Sequence, residues 1–190
     1  MRFFMRRMLA ISLLAGLLGV AACSGPGNLP PIPSTSNADY RLGPGDQVRI
    51  ITFGDEQLTG EFRVKDDGTV SLPLLGPVKA AGLTTDQLQS EVTQQLTSRN
   101  LYKDPSVSVE VIAYRPVFVL GEVAHPGQFP YQPGMTVVTA VAIAGGFTYR
   151  AVESEVGIVR NVNGKSVEGR ANRDTPVRPG DVITVYERSF

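Results

Sequence analysis

Alternating apolar and polar positions in the first half of the chain predict short β-strands. Val48, Ile50 and Thr52 occupy every second position, as the inward face of a half-buried strand does. Further strands are predicted at residues 62–64, 70–74 and 107–112. Asp66-Asp67-Gly68 predicts a hairpin turn, and residues 75–78 predict another turn. This half is therefore expected to be a small β-rich domain.

One helix is predicted between these strands, beginning near Leu83. Thr84 is suited to cap it, and Gln87 three residues later completes a capping box. Leu88, Val92 and Leu96 then recur at four-residue spacing, opposite a face of Gln, Ser and Thr. This stripe predicts a helix face that packs on the sheet.

The second half repeats the mixture of strands, turns and one helix. A strand is predicted at 116–123, a turn at 124–130 and a buried helix at 134–144, which Gly145-Gly146 ends. A strand at 156–160 and a hairpin turn at Asn163-Gly164 follow, and the segment 177–185 provides the last strand. The fold class predicted for the whole is α+β, with two small β-rich domains at residues 40–113 and 114–190.

A short motif occurs once in each half. Pro44-Gly45-Asp46 and Pro179-Gly180-Asp181 each precede a predicted strand. Proline presets the first central dihedral of a type II turn, and glycine supplies the positive φ of the second. We expect both motifs to be structural turns, with no catalytic role for either aspartate.

The first 22 residues have the pattern of a secretory signal. Three arginines precede an apolar run at residues 8–20, which is shorter than the roughly 20 residues that span a bilayer. Small residues then lead to Cys23, and this boundary resembles the bacterial lipobox, in which the cysteine becomes the first mature residue and is lipidated on its sulfur and amine. The resemblance implies cleavage between Ala22 and Cys23 and lipidation of Cys23. An incidental cysteine near an ordinary cleavage site is the alternative. Ser24, by resemblance to sorted lipoproteins, favours the outer membrane.

Residues 23–39 are predicted to be a flexible tether. Pro, Gly, Ser and Asn dominate this stretch, which lacks the apolar residues needed to fold. Removing the three arginines of the signal from a chain of 18 basic and 18 acidic residues leaves an excess of three acidic residues. No basic patch stands out, which argues against nucleic-acid binding. We expect the lipid anchor alone to attach the protein to the membrane.

The residues needed for catalysis or metal binding are scarce. His125 is the sole histidine, so a Ser-His-Asp triad or a multi-histidine metal site cannot form, and a surface turn position is expected for it. Asp66-Asp67, Glu153 and Glu155 are more simply turn and solvated residues. We therefore predict no enzyme activity, no cofactor and no metal, with a carboxylate-only glycosidase as the weaker alternative.

The order of motifs resembles a known family. The segments that carry the resemblance are 40–46, 67–76, 82–84 with the helix that follows, 104–109, 119–127, the helix to Gly145-Gly146, and 177–185. They are similar to a polysaccharide biosynthesis/export domain followed by a soluble-ligand-binding β-grasp (SLBB) module. Together with the lipobox, they resemble the outer-membrane polysaccharide export (OPX) lipoproteins of capsule and exopolysaccharide pathways.

This resemblance implies a role in passing a polysaccharide to the cell surface. It implies a homo-oligomeric ring facing the periplasm, with an inner-membrane polysaccharide co-polymerase as partner. Larger members have further β-grasp modules and a C-terminal amphipathic helix that forms the outer-membrane pore, for which the residues after 185 leave no room. We therefore expect a separate outer-membrane β-barrel partner. A periplasmic saccharide-binding module without conduit function is the alternative, although the lack of Trp and the scattered Tyr residues disfavour it.

Overall fold

The structure is a computed structural model that describes residues 28–33, 40–162 and 164–188. The predicted signal peptide, its cleavage site at Ala22 and the predicted lipidation site Cys23 lie outside the described residues. Two apolar clusters form the cores of two domains, one from residues 42–107 and the other from residues 117–185 together with Ile32. Within the described ranges, no helix is long and apolar enough to cross a membrane.

The N-terminal domain combines a three-stranded sheet, a separate hairpin and one helix. Its elements are β1 (Gln47–Thr52), β2 (Asp55–Arg63), β3 (Thr69–Leu72), β4 (Gly76–Lys79), α1 (Thr85–Ser98) and β5 (Val107–Ala113). The sheet is antiparallel in the order β2-β1-β5, and β3 pairs with β4 alone. Leu88, Val92 and Leu96 of α1 are buried, as predicted, and the capping box of Thr84 and Gln87 is confirmed.

Two turns of this domain differ from the prediction. The turn expected at residues 75–78 lies at Pro73, Leu74 and Leu75, and Gly76–Lys79 is strand β4. Val78 is fully buried opposite Val70 of β3, so burial draws this segment into a strand. The turn at residues 66–68 is present, but it joins β2 to β3, which belong to different sheets, because β2 already pairs with β1.

The C-terminal domain has a five-stranded mixed sheet with one helix. Its elements are β6 (Val117–Gly121), β7 (Gly127–Phe129), α2 (Val137–Ile143), β8 (Glu155–Val162), β9 (Lys165–Asn172) and β10 (Val182–Val185). The strand order is β7-β6-β10-β8-β9, and the first and last strands of the domain, β6 and β10, run parallel side by side. This is a β-grasp arrangement, and the predicted α+β class is confirmed.

Three elements of this domain were not predicted with their observed limits. Strand β7 lies inside the segment expected to be only a turn, because it pairs with the edge of β6. Helix α2 begins at Val137 instead of residue 134, since Thr136 is still extended and bridges Pro176. Strand β9 has small inward residues, Gly169 and Ala171, and therefore lacks a strong apolar alternation, yet it pairs along its whole length with β8.

The predicted tether is partly structured. Pro31 forms a parallel β-bridge with Arg170 of β9, and Ile32 is only 7 % exposed and belongs to the C-terminal core. The expectation of a flexible tether at residues 23–39 is therefore wrong for residues 30–33. A single apolar side chain and two backbone hydrogen bonds are sufficient there, because β9 offers an open sheet edge.

Candidate functional site at the domain junction

The two Pro-Gly-Asp motifs form turns of the same geometry. The Asp46 amide donates to the Gly43 carbonyl at 3.1 Å, and the Asp181 amide donates to the Arg178 carbonyl at 3.0 Å. The glycines at the second central position have φ of 96° and 85°, the left-handed values that a type II turn requires. Each aspartate Oδ2 also accepts a 2.8 Å bond from the amide three residues earlier. Each turn therefore places a buried carboxylate at the start of an interior strand, Asp46 before β1 and Asp181 before β10.

Asp46 is fully buried and is surrounded by donors. Its Oδ2 accepts from the Tyr40 hydroxyl and from the Gly43 amide, and its Oδ1 accepts from the Arg115 amide at 2.8 Å. Burial raises the pKa of Tyr40 well above its usual range, and the neighbouring Asp46 charge raises it further. Both side chains are thereby committed to holding the turn, which leaves Asp46 no free oxygen for a substrate.

Arg115 links the two turns across the junction between the domains. Its Nε donates to the Pro179 carbonyl at 3.1 Å, and its Nη1 lies 3.9 Å from Asp46 Oδ2. The Gly180 amide also donates to the Pro116 carbonyl at 3.0 Å, which fixes the second turn to the residue that follows Arg115. The repeated motif in the sequence therefore marks two turns that face each other through one arginine.

The guanidinium of Arg115 packs against a glycine in each turn. A Cβ added at Gly43 would lie 1.6 Å from Nη1, and one added at Gly180 would lie 3.0 Å from Nε, so the arginine would have to shift if either position carried a side chain. Gly43 has no positive φ, so space beside Arg115, not backbone conformation, is what glycine provides there. The sequence did not single out Arg115, since a lone arginine in a linker carries no motif.

Asp181 forms a buried ion pair with Arg160 of β8. The two side chains are 1 % and 3 % exposed, and Arg160 binds the carboxylate through both Nε (3.0 Å to Oδ1) and Nη2 (2.6 Å to Oδ2). The remaining guanidinium donors reach the carbonyls of Pro176 and Pro33 at 3.0 and 3.1 Å. The charge is thus fully paired, as a buried arginine requires. Arg160 follows Val156 and Ile158 at two-residue spacing, on the inward face of the strand. A basic residue at such a position was the signal in the sequence for a buried ion pair.

Three tyrosines that are far apart in sequence meet at the junction. The rings of Tyr40 and Tyr114 are 5.1 Å apart, and those of Tyr114 and Tyr131 are 5.3 Å apart, both in edge-to-face contact. Burial raises the pKa of Tyr131. The Arg115 guanidinium lies 5.8 Å from the Tyr40 ring centre. The view that the tyrosines are scattered is therefore wrong for these three, which join the N-terminal domain, the linker and the C-terminal domain.

The other candidate chemical groups make their contacts outside this junction. His125 is exposed in the loop before β7. Hydrogen bonds from the Thr69 hydroxyl and amide lower the pKa of Asp67, and Glu155 pairs with Arg170 at 2.8 Å. Glu153 lies 3.8 Å from two arginines. Among the described residues, no group of three or more His, Cys, Asp or Glu side chains could hold a metal ion.

Comparison with known proteins assigns both domains. Residues 34–112 match the family model "Polysaccharide biosynthesis/export protein", and residues 116–171 match the SLBB domain. The chain is 34 % identical over 152 residues to the exopolysaccharide production protein ExoF of Rhizobium meliloti, which covers 74 % of this chain and 34 % of ExoF. It is 29 % identical over 155 residues to the EPS I polysaccharide export outer membrane protein EpsA of Ralstonia nicotianae, covering 76 % of this chain and 40 % of EpsA.

A third relative is named for the transport of polysialic acid. The chain is 31 % identical over 113 residues to the polysialic acid transport protein KpsD of Escherichia coli, covering 58 % of this chain and 20 % of KpsD. The chain thus spans between a fifth and two fifths of the length of these relatives. Its two matched segments together account for most of the residues, in the order that the sequence motifs predicted. The chain therefore belongs to the polysaccharide biosynthesis/export protein family, with an SLBB domain directly after the export domain.

Proposed function

We propose that this protein is a component of a capsular or exopolysaccharide export machine, anchored in the outer membrane by lipidated Cys23 and facing the periplasm. It forms or adapts a conduit for the polymer and catalyses no reaction. The observation that carries this proposal is the pairing of an export domain with an SLBB domain, together with relatives named for polysaccharide production, export and transport.

The domain junction supports a structural role. A wall subunit of a conduit must keep its domains in one relative position, because neighbouring subunits contact both. Arg115 and the two Pro-Gly-Asp turns provide such a constraint, and Asp46 and Asp181 have their carboxylate oxygens occupied by donors within the chain. These buried carboxylates therefore serve the fold and are not available as a glycosidase pair.

The proposed partners follow from the same role. Copies of this chain would close a ring through head-to-tail contacts, since a closed conduit needs a rotational repeat. An inner-membrane polysaccharide co-polymerase would deliver the polymer, and a separate outer-membrane β-barrel would complete the path. The saccharide-binding module remains the competing function, and it would act as a monomer.

Deletion and complementation test the proposal. Loss of the gene should abolish surface polysaccharide while polymer accumulates in the periplasm, and the wild-type gene should restore export. The Cys23→Ala variant should leave the outer-membrane fraction and should fail to restore export. Unchanged surface polymer in the deletion strain would refute the role in export. Full export in cells that lack every candidate outer-membrane barrel would refute the separate barrel.

A further inference from the structure

Helix α1 of the export domain has an exposed side that is polar and almost without charge. Three of its 14 residues form the buried stripe, and nine of the other eleven are Gln, Ser or Thr. Asp86 and Glu91 are its only charged residues, and it contains no Lys or Arg. The residues opposite the centre of the buried stripe, called the α1 face below, are all exposed: Gln87, Ser90, Gln94 and Thr97.

Helix stability does not explain the composition of the α1 face. Lys, Arg and Glu are good helix formers and make favourable pairs four residues apart on exposed helix surfaces, whereas Ser and Thr are weaker helix formers. Ser90 and Thr97 nevertheless occupy exposed positions, where packing in the core makes no demand on them. Their presence therefore points to a requirement outside the fold of the helix.

The α1 face has hydrogen-bonding groups that folding does not use. The Ser90 and Thr97 hydroxyls donate to the carbonyls four residues earlier, at 2.9 and 3.0 Å, so each hydroxyl oxygen is still an acceptor. Gln87 uses its side-chain oxygen in the capping box and keeps its NH2 group. The Gln94 side chain makes no hydrogen bond within the described residues, so both ends of its amide are available. The face therefore offers donors and acceptors side by side.

A shallow groove runs along this side of the helix. Leu83, at its start, is partly buried and provides an apolar wall. A sugar ring has matching surfaces, with hydroxyl groups at its edge and C–H groups on its faces. The groove is open to the solvent, unlike the enclosing pockets that hold small ligands. It has a volume of about 360 Å³ and is lined by Leu83, Asp86, Gln87, Ser90, Glu91 and Gln94.

The lack of a cation on α1 suits a polymer that moves. Hydrogen bonds between neutral groups replace bonds to water and contribute little net free energy, whereas bonds from Lys or Arg to an acidic sugar are roughly twice as strong. A passing polymer must break each contact as it advances. Gln and Ser contacts exchange readily, and the carboxylates of Asp86 and Glu91 accept from sugar hydroxyls without binding an acidic sugar.

The same composition disfavours a protein partner at this surface. The centres of protein–protein interfaces are enriched in aromatic residues, Met and Arg, and Ser is depleted there. Helix α1 contains no aromatic residue, no Met and no Arg. A polyhydroxylated polymer fits the α1 face better than another protein does.

We propose that the α1 face is the surface along which the polysaccharide passes through this protein. The proposal rests on the export function proposed above and names the residues that touch the cargo. In a ring of subunits, α1 then lies on the inner wall. Ser90 and Gln94 are directed at the polymer, and the buried stripe is directed away from it.

Photo-crosslinking in living cells tests the contact directly. The full lipidated chain is expressed in the deletion strain with p-benzoylphenylalanine in place of Gln94, or in place of Gln57 as the matched control. Gln57 is exposed on β2, at the edge of the export sheet opposite to β5. The polymer made by the cells is labelled with tritiated glucose, and each protein is purified under denaturing conditions after illumination.

We expect labelled polymer on the protein that carries the crosslinker at position 94, and only background label at position 57. A strain that cannot make the polymer should lose the signal at position 94. Equal label at both positions would overturn the proposal, and so would a crosslink from position 94 to another protein in place of the polymer. No polymer adduct at position 94 in a variant that restores export would overturn it as well.

Bulky side chains on the α1 face provide a second test without the crosslinker. The S90W/Q94W variant adds two large side chains to the groove and leaves the buried stripe intact, and Gln57→Trp is the control. Thermal melts should be unchanged for both proteins, since all three positions are exposed. The double variant should lower the rate at which labelled polymer reaches the cell surface several-fold, and Gln57→Trp should leave that rate at the wild-type value.

The deletion strain separates this proposal from the function on which it rests. If cells without the gene export polymer normally, the export function is wrong and the α1 face has no cargo. If those cells export no polymer but S90W/Q94W exports at the wild-type rate, the export function stands and the assignment of the α1 face alone is wrong.

Discussion

Removing Arg160 is the most informative change to the C-terminal domain. Arg160→Met removes the guanidinium that binds the buried carboxylate of Asp181 through two nitrogens, and it leaves the carbonyls of Pro33 and Pro176 without this donor. Breaking a buried ion pair from one side costs about 3–5 kcal/mol, because the remaining charge stays buried without its partner. We therefore expect Arg160→Met to lower the free energy of unfolding of the SLBB domain by that amount.

Neutralising the partner should recover much of this loss. Asp181→Asn keeps a side-chain oxygen that can accept from the Arg178 amide, so the turn is preserved while the charge is removed. The double variant R160M/D181N should therefore be more stable than Arg160→Met alone. Arg49→Met is the matched control, since Arg49 is 44 % exposed and its pairs with Glu61 and Glu110 should contribute about 1 kcal/mol or less.

Urea unfolding followed by circular dichroism gives the free energy of unfolding of each protein. The four proteins, all carrying Cys23→Ala, are the otherwise unchanged chain, Arg160→Met, R160M/D181N and Arg49→Met. A loss below about 1 kcal/mol for Arg160→Met, equal to that of Arg49→Met, would refute the reasoning about the buried charge. A double variant less stable than Arg160→Met would show that Asp181 has no unfavourable charge to remove.

Three further changes test the turns and the junction. Tyr40→Phe should cost about 1–2 kcal/mol through the lost bond to Asp46. Because the pKa of Tyr40 is raised in the folded state, the unfolded chain releases this proton first, and the wild-type protein should lose stability as the pH rises above 10. The Tyr40→Phe variant lacks this group, so its stability, measured by chemical denaturation, should fall less steeply between pH 10 and 12. Gly121→Ala, whose Cβ would lie 2.0 Å from a β10 carbonyl oxygen, should prevent stable folding as judged by thermal melts. Gly164→Ala, with a similar positive φ but open space, should cost only about 1–2 kcal/mol. Arg115→Ala should broaden the distance distribution between spin labels on the two domains, and an unchanged distribution would show that the arginine does not hold the junction.

The elements of this fold that could be predicted from sequence are those whose signal is local. The α1 stripe and capping box lie within 13 residues, and the alternation of β1 is visible in six. By contrast, β9 buries glycine and alanine, so its pairing with β8 leaves little hydrophobic pattern. The turn at Pro73 to Leu75 could not be placed from the sequence, because its position depends on the pairing of Val78 with Val70 on the neighbouring strand.

The junction shows the same division between local and distant information. The Pro-Gly-Asp turns were visible as repeated motifs, yet nothing in either motif indicates that Arg115 connects them. Arg160 and Asp181 are 21 positions apart, and the three tyrosines span residues 40 to 131. The pairing of residues 30–33 with β9 depends on the absence of a side chain at Gly169, which no periodicity in residues 24–39 could reveal.

The conduit role is tested most directly by the oligomeric mass of the lipidated protein, extracted in mild detergent and measured by native mass spectrometry. The account predicts one discrete multimer of the mature chain, with a mass that does not change on dilution. A monomer at every accessible concentration, with no larger species even in the presence of the inner-membrane partner, would contradict a self-assembled conduit and favour the saccharide-binding module.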